Sequence, residues 1–175
     1  SECVYTGIMT DTGCFSFNSS NPDTFKTVAA LLENGIQTDK VYEKVYHNYS
    51  VSRMRLMGHV LRNNMHIIER YHTAYIRITR EELQEYNFQP GDTEGFVNLP
   101  LSISGVRFSV LFVEKDDHIK ISLRSTGDFP ANEFSGLYFN GGGHLNAAGG
   151  ESYLNLDETV KLFVTHLEDY SNKLS

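Results

Sequence analysis

Two runs of alternating side chains constrain this chain most strongly. Val106, Phe108, Val110 and Phe112 recur at every second position, as do Ile119, Ile121 and Leu123, and the polar triplet Lys115-Asp116-Asp117 separates the runs. A period of two belongs to strands buried on one face, so 106–114 and 118–125 are expected to pair. The same period puts Lys120, Ser122 and Arg124 together on the opposite face of the second strand. Arg124 is thereby kept out of the apolar layer. Its planar guanidinium suits phosphate oxygens, although a lone arginine on a sheet is otherwise an ordinary surface residue.

Helical patterns surround this pair. Asn21 followed by Pro22 marks a helix start, Phe25, Val28, Ala29 and Leu32 follow at helical spacing, and Gly35 closes the element. A second helix is expected over 39–48, with Val41, Tyr42, Val45 and Tyr46 on one face. A third opens at Ser50 or Ser52, with Met54, Met57, Leu61 and Met65 on one side, and also carries Arg53, Arg55 and Arg62. It is expected to connect two lobes, because sheet patterns begin directly after it. Residues 67–70 and 74–79 read as a hairpin and 79–86 as a short helix. Asp92 or Thr93 is expected to cap a helix through Leu101, and Asn132 one over 130–138. The last helix spans 155–174, with Leu156, Val160, Phe163, Leu167, Tyr170 and Leu174 as its stripe. Residues 14–20 read as a loop, and 2–10 fit either a strand or a short helix.

Residues 139–150 read FNGGGHLNAAGG. So many glycines and alanines leave the backbone bare enough for a ligand to approach closely. Gly141, Gly142 and Gly143 are expected to present N–H groups to an anion at a helix N-terminus. His144 would add a further hydrogen bond; the alternative is a structural histidine bonding a loop carbonyl.

Composition narrows the function classes. A net charge of −7 argues against coating long nucleic acid, which needs a basic surface, but allows a small pocket with a few cations. No apolar run is long enough to span a bilayer. Cys3 and Cys14 form no CxxC pair, and a reducing cytoplasm fits best. The remaining histidines show no HxxxH spacing.

The segment GGGHLNAAG at 141–149 resembles the signature of the C-terminal substrate domain of DHH-family phosphoesterases. Tyr5-Thr6-Gly7-Ile8-Met9-Thr10-Asp11-Thr12-Gly13 resembles the last metal-ligand motif of the same family's catalytic domain. The motifs stand in the family's order with matching spacers, so the resemblance covers nearly the whole chain. It is nearest to the bacterial oligoribonuclease and 3′-phosphoadenosine-5′-phosphate phosphatase type.

The resemblance implies an α/β fold. A DHH-associated substrate domain with a central mixed sheet flanked by helices (67–175) would follow a connecting helix (50–66) and a helical remnant of the catalytic domain (1–49). It implies that 2–10 is helical and that Arg124, within Ser122-Leu123-Arg124-Ser125, contacts substrate phosphate. Glu94-Gly95-Phe96-Val97-Asn98 resembles a segment facing the substrate groove. Glu94 and Asn98, four apart, would share a helix face there; the alternatives are a cap and a surface polar residue. Asp11, otherwise a helix-end carboxylate, becomes a ligand of a two-manganese site, in which paired ions activate water. Asn140 stands where the family has another glycine, and asparagine tolerates left-handed geometry.

No Asp-His-His occurs and the chain starts without Met. A C-terminal fragment with little hydrolase activity is therefore expected, since one carboxylate cannot hold two ions. The implied substrates are short 5′-phosphorylated oligoribonucleotides and 3′-phosphoadenosine 5′-phosphate, with no membrane and with a homodimer as an allowed state. The alternatives are a cyclic dinucleotide phosphodiesterase, an exopolyphosphatase-like hydrolase, or a non-catalytic nucleic-acid or phosphate-binding module like those attached to alanyl-tRNA synthetases.

Overall fold

A computed structural model describes residues 1–16 and 19–174. The chain divides into two compact units, Ser1–Tyr49 and Ser50–Ser175. Part of the loop expected over 14–20, at positions 17 and 18, lies outside the described residues.

The first unit holds three helices, α1 (Glu2–Asp11), α2 (Pro22–Glu33) and α3 (Thr38–Tyr46). Asn21 caps α2 by accepting from the Asp23 amide, with Pro22 in the first turn. Tyr5, Met9, Ile36 and Val41 form a small core. The expected α2 stripe is only partly used. Val28 and Leu31 pack against that core, while Phe25 and Leu32 are exposed.

The second unit begins with α4 (Val51–His59), capped by Ser50 and continued as a π-helical turn over Val60–Asn64. Strands β1 (Met65–Ile68) and β2 (Thr73–Ile78) form the expected hairpin, and α5 (Arg80–Glu85) follows. A 3-10 segment (Phe96–Ser102) leads to β3 (Phe108–Glu114) and β4 (Ile119–Ser125). Then come α6 (Ala131–Tyr138), β5 (Gly142–His144), β6 (Ala147–Ser152), α7 (Leu156–His166) and the short α8 (Ser171–Leu174). The mixed six-stranded sheet has the order β1-β2-β3-β4-β6-β5, with only β2 and β3 parallel.

Its two faces are packed differently. Phe108, Val110, Phe112, Ile119, Ile121, Leu123 and Ala148 face α6 and α7, where they meet Phe134 and Phe163. All six residues of the C-terminal stripe are buried there, although the helix breaks into α7, a 3-10 turn and α8. On the other face, Ile76, Ile78, Leu111 and Val113 pack with Leu56, Val60, Leu83, Phe96 and Val97. That second layer covers β2 and β3, and on β4 the same face carries Lys120, Ser122 and Arg124, none of them buried.

Three expectations are corrected. The buried face of α4 is Arg53 and Leu56, continued by Val60, whereas Met54 is exposed. Met57, Leu61 and Met65 of the expected stripe do pack against this core; what counting apolar residues missed is that an arginine occupies a buried position on the same helix. Neither Asp92 nor Thr93 caps a helix through Leu101. Gly95, at φ +83°, precedes a 3-10 segment containing Pro100, which lacks the N–H that a longer α-helix needs. Asn132 makes no cap: Pro130 holds the capping position, and Asn132 Oδ1 is buried without a partner.

Glu82 ties α4 to α5. It completes a capping box with Thr79 and accepts from His59 Nε2 and Asn64 Nδ2, both at 2.7 Å. Burial pushes its carboxyl up, but the bonds from His59, Asn64 and the Thr79 amide outweigh this and hold it below the ordinary value of 4.5. A depressed carboxyl stabilises the fold above that value and loses its contribution as pH falls through the folded value. Urea unfolding should show stability declining below about pH 4.5, and a shallower decline in Glu82→Ala. The same substitution should cost about 2 kcal/mol near neutral pH.

Candidate functional site

The sheet register assembles the site. Ala74 lies opposite Ser109, Ser109 opposite Arg124, Arg124 opposite Ala147 and Ala147 opposite His144. Directly opposed residues share a face, so these five side chains form one row across β2, β3, β4, β6 and β5. Neighbours in such a row stand about 5 Å apart, which puts Arg124 and His144 about 10 Å apart across Ala147. The methyl between them is small. The adjacent row continues the bare floor with Ser122, Gly149 and Gly142. An anion over Ala147 would lie within reach of both long side chains, with His144 exposed and Arg124 half-buried.

The glycine-rich stretch reaches this geometry by a route the sequence reading did not foresee. It follows the C-terminal end of α6 and enters the β5–β6 hairpin, so no helix N-terminus supplies its N–H groups. A strand forms because 147–152 pairs along the whole of β4. Gly141 serves the close seating of α6 and Gly143 the close approach of β6. A Cβ on Gly141 would overlap Gly149 O and the Ser135 hydroxyl, and one on Gly143 would overlap Ala147 O. Gly142 differs, with open space where its Cβ would be. Ser135 Oγ donates to Gly149 O at 2.7 Å, and Gly141 N donates to Ser135 O. Asn140 adopts φ +49°, the left-handed geometry expected of it.

The hairpin tip is fixed as well. Asn146 Nδ2 donates to Ser125 Oγ and to Gly127 O. Its own carbonyl accepts from Ser125 N, and Leu145 O accepts from Ala131 N. His144 therefore stands on a hairpin tied to the end of β4 and the start of α6.

Glu94 and Asn98 do not share a helix face. Glu94 precedes Gly95, outside the 3-10 segment, and Asn98 is within it. Burial pushes the Arg124 guanidinium below its ordinary value, and the Glu94 carboxylate opposes this. Arg124 Nη1 donates to Leu123 O at 2.8 Å, and arginine keeps its charge throughout the neutral range.

Asp11 ends α1, in the first unit, and is exposed. Among the described residues no three His, Cys, Asp or Glu side chains gather to hold a metal. A single exposed carboxylate does not fit a two-metal site. No described helix is long and apolar enough to cross a membrane. A surface depression of about 530 Å³ lies around Glu114 and His118, at the end of β3 and the start of β4, and one of about 340 Å³ lies between Arg77, Glu114 and Asn155; neither is lined by Arg124 or His144.

One site feature escaped the sequence reading. Ser109 is fully buried beside Arg124 with no partner for its hydroxyl. Its position opposite the apolar phase of β3 was the available signal.

The chain belongs to the DHHA1 domain family, whose model matches residues 69–173. The expected DHH-type α/β fold is thereby borne out. The chain is 32% identical over 159 residues to a bifunctional oligoribonuclease and PAP phosphatase NrnA from Thermus thermophilus. It is 28% identical over 152 residues to the protein of that name from Bacillus subtilis. These matches cover 90% and 87% of the chain but 47% of each relative, so the chain spans about half the length of the relatives it matches. The crystal structure of an exopolyphosphatase-related protein from Bacteroides fragilis superposes with a TM-score of 0.95 at 51% identity, covering 99% of this chain and 51% of that one.

The glycine contacts give a sharp contrast. Gly141→Ala should cost about 3 kcal/mol or more through overlap with the α6 seat. Gly142→Ala should change stability by less than about 1 kcal/mol. Thermal unfolding of the two variants checks this; equal effects would contradict the packing described.

Proposed function

We propose that this chain is the substrate-binding part of a metal-dependent phosphoesterase that acts on short 5′-phosphorylated oligoribonucleotides and on 3′-phosphoadenosine 5′-phosphate. The observation that carries the reading is the row Arg124–Ala147–His144, which sets two cationic or hydrogen-bonding side chains about 10 Å apart over a floor of small residues. Arg124 offers a two-pronged, charge-assisted grip on a terminal phosphate, and His144 donates from the other side. Gly142 and Gly149 leave room for the rest of the nucleotide, and Glu94 and Asn98 lie on the segment proposed to border it. Anchoring an end phosphate favours short substrates, because it fixes the distance to the scissile bond.

The family and the names of the relatives support the hydrolase class. Asp11 is proposed as a single manganese ligand. Among the described residues no three His, Cys, Asp or Glu side chains gather into a metal site, so hydrolysis by these 175 residues alone is expected to be absent. An exopolyphosphatase-like activity is the second reading, favoured by the Bacteroides fragilis likeness.

Calorimetric titration distinguishes these. The chain should bind 3′-phosphoadenosine 5′-phosphate, and Arg124→Ala should weaken binding about 10- to 100-fold, as expected for a charge-assisted hydrogen bond. His144→Ala should weaken it about 10-fold. Tripolyphosphate binding tighter than the nucleotide would favour the second reading. Binding of neither probe, or indifference to both substitutions, would refute the site. In a manganese-dependent hydrolysis assay the chain should give no turnover, and robust turnover would contradict the metal argument.

A further inference from the structure

Ser109 is 0% exposed, and its hydroxyl makes no hydrogen bond among the described residues. It stands in the phase of Leu111 and Val113, on the face of β3 that carries the second apolar layer. A buried hydroxyl left unpaired destabilises a fold, so its presence calls for a partner that the free chain does not supply. The row across the sheet holds one. Ala74, opposite Ser109 on β2, offers only a methyl group, whereas Arg124, opposite it on β4, offers guanidinium N–H groups. Directly opposed side chains start about 5 Å apart, well within the reach of an arginine. Among the described residues, the hydrogen bond that Arg124 makes runs from Nη1 to Leu123 O, back onto its own strand, and leaves its other donors open. Strand order sets the direction. Ser109 lies on one side of Arg124, and Ala147 and His144 lie on the other. A guanidinium bonded to the hydroxyl through one edge therefore presents another edge to an anion over Ala147.

We propose that Ser109 is a positioning residue for Arg124: as the guanidinium leaves Leu123 O for an anion over Ala147, the buried hydroxyl accepts one of its N–H groups and holds the fork in the receiving orientation. The proposal rests on the reading of Arg124 as a phosphate ligand. Ser109 itself is fully buried and touches no ligand. Its hydroxyl is unpaired in the free chain and paired on binding, so it favours the liganded state while contributing nothing to the stability of the unliganded fold.

The test is the affinity of the full 175-residue chain for 3′-phosphoadenosine 5′-phosphate, with thermal unfolding of each variant measured alongside. Ser109→Ala should weaken binding about 10-fold, the effect of one hydrogen bond to a charged group, while the unliganded variant unfolds at an unchanged or higher temperature. Unchanged affinity would overturn the proposal. So would a lower unfolding temperature, which would mean that the hydroxyl is already bonded in the free chain. In an Arg124→Ala background the same substitution should add no further loss, because it acts through that guanidinium; equal losses in both backgrounds would overturn the proposal. Ser109→Thr and Ser109→Val have nearly the same shape and differ in the hydroxyl, so packing affects them alike. Ser109→Thr should bind about 10-fold more tightly than Ser109→Val, and equal affinities would overturn the role of the hydroxyl. Should neither fold, the cycle with Ser109→Ala decides alone. Loss of binding in Arg124→Ala with full binding in Ser109→Ala would overturn this inference alone. Absence of binding by the unsubstituted chain would overturn the reading of Arg124 and this inference with it.

Discussion

Everything at the site depends on the register of β4, β6 and β5. A slip of one residue between β4 and β6 would leave Arg124 and His144 on opposite faces, because side chains alternate strictly along each strand. The register is held from behind. Leu123, Ile121 and Ala148 belong to the aromatic core beneath α6 and α7, so a slip would expose that layer. The apolar face therefore specifies the polar one, and the hydrophobic effect fixes where Arg124 and His144 stand.

Small residues serve two different purposes in this arrangement. Gly141 and Gly143 are compelled by packing, since the chain passes too close to α6 and β6 for a side chain. Ala147, Gly149 and Gly142 form the floor between the two long side chains. The hairpin is tied by Ser135 and Asn146, so the surface offered to a ligand is built before the ligand arrives. Preorganisation of this kind lowers the ordering cost of binding a small anion.

Much of this was legible in the sequence, and the reasons for the exceptions are physical. The alternation in 106–125 predicted the central strand pair and the phase of Arg124, because a half-buried strand writes its period directly into the chain. The GGGH stretch was recognisable as a special segment, but its direction of approach was not. Glycine-rich composition is equally compatible with a turn into a helix and a turn into a strand, and only the pairing of 147–152 with β4 decided it. Arg53 was invisible for a different reason. A periodicity count treats arginine as polar, and nothing local announces that three carbonyls forty residues away will satisfy it. Glu94 and Asn98 were assigned a shared helix face on spacing, which failed because Gly95 and Pro100 favour a 3-10 turn.

The most direct measurement is a crystal structure of the chain with 3′-phosphoadenosine 5′-phosphate bound. The account predicts a terminal phosphate over Ala147, within hydrogen-bond distance of both Arg124 and His144. A phosphate seated elsewhere, for example in the depression lined by Arg80, Lys115 and His118 at the other end of β4, would contradict it.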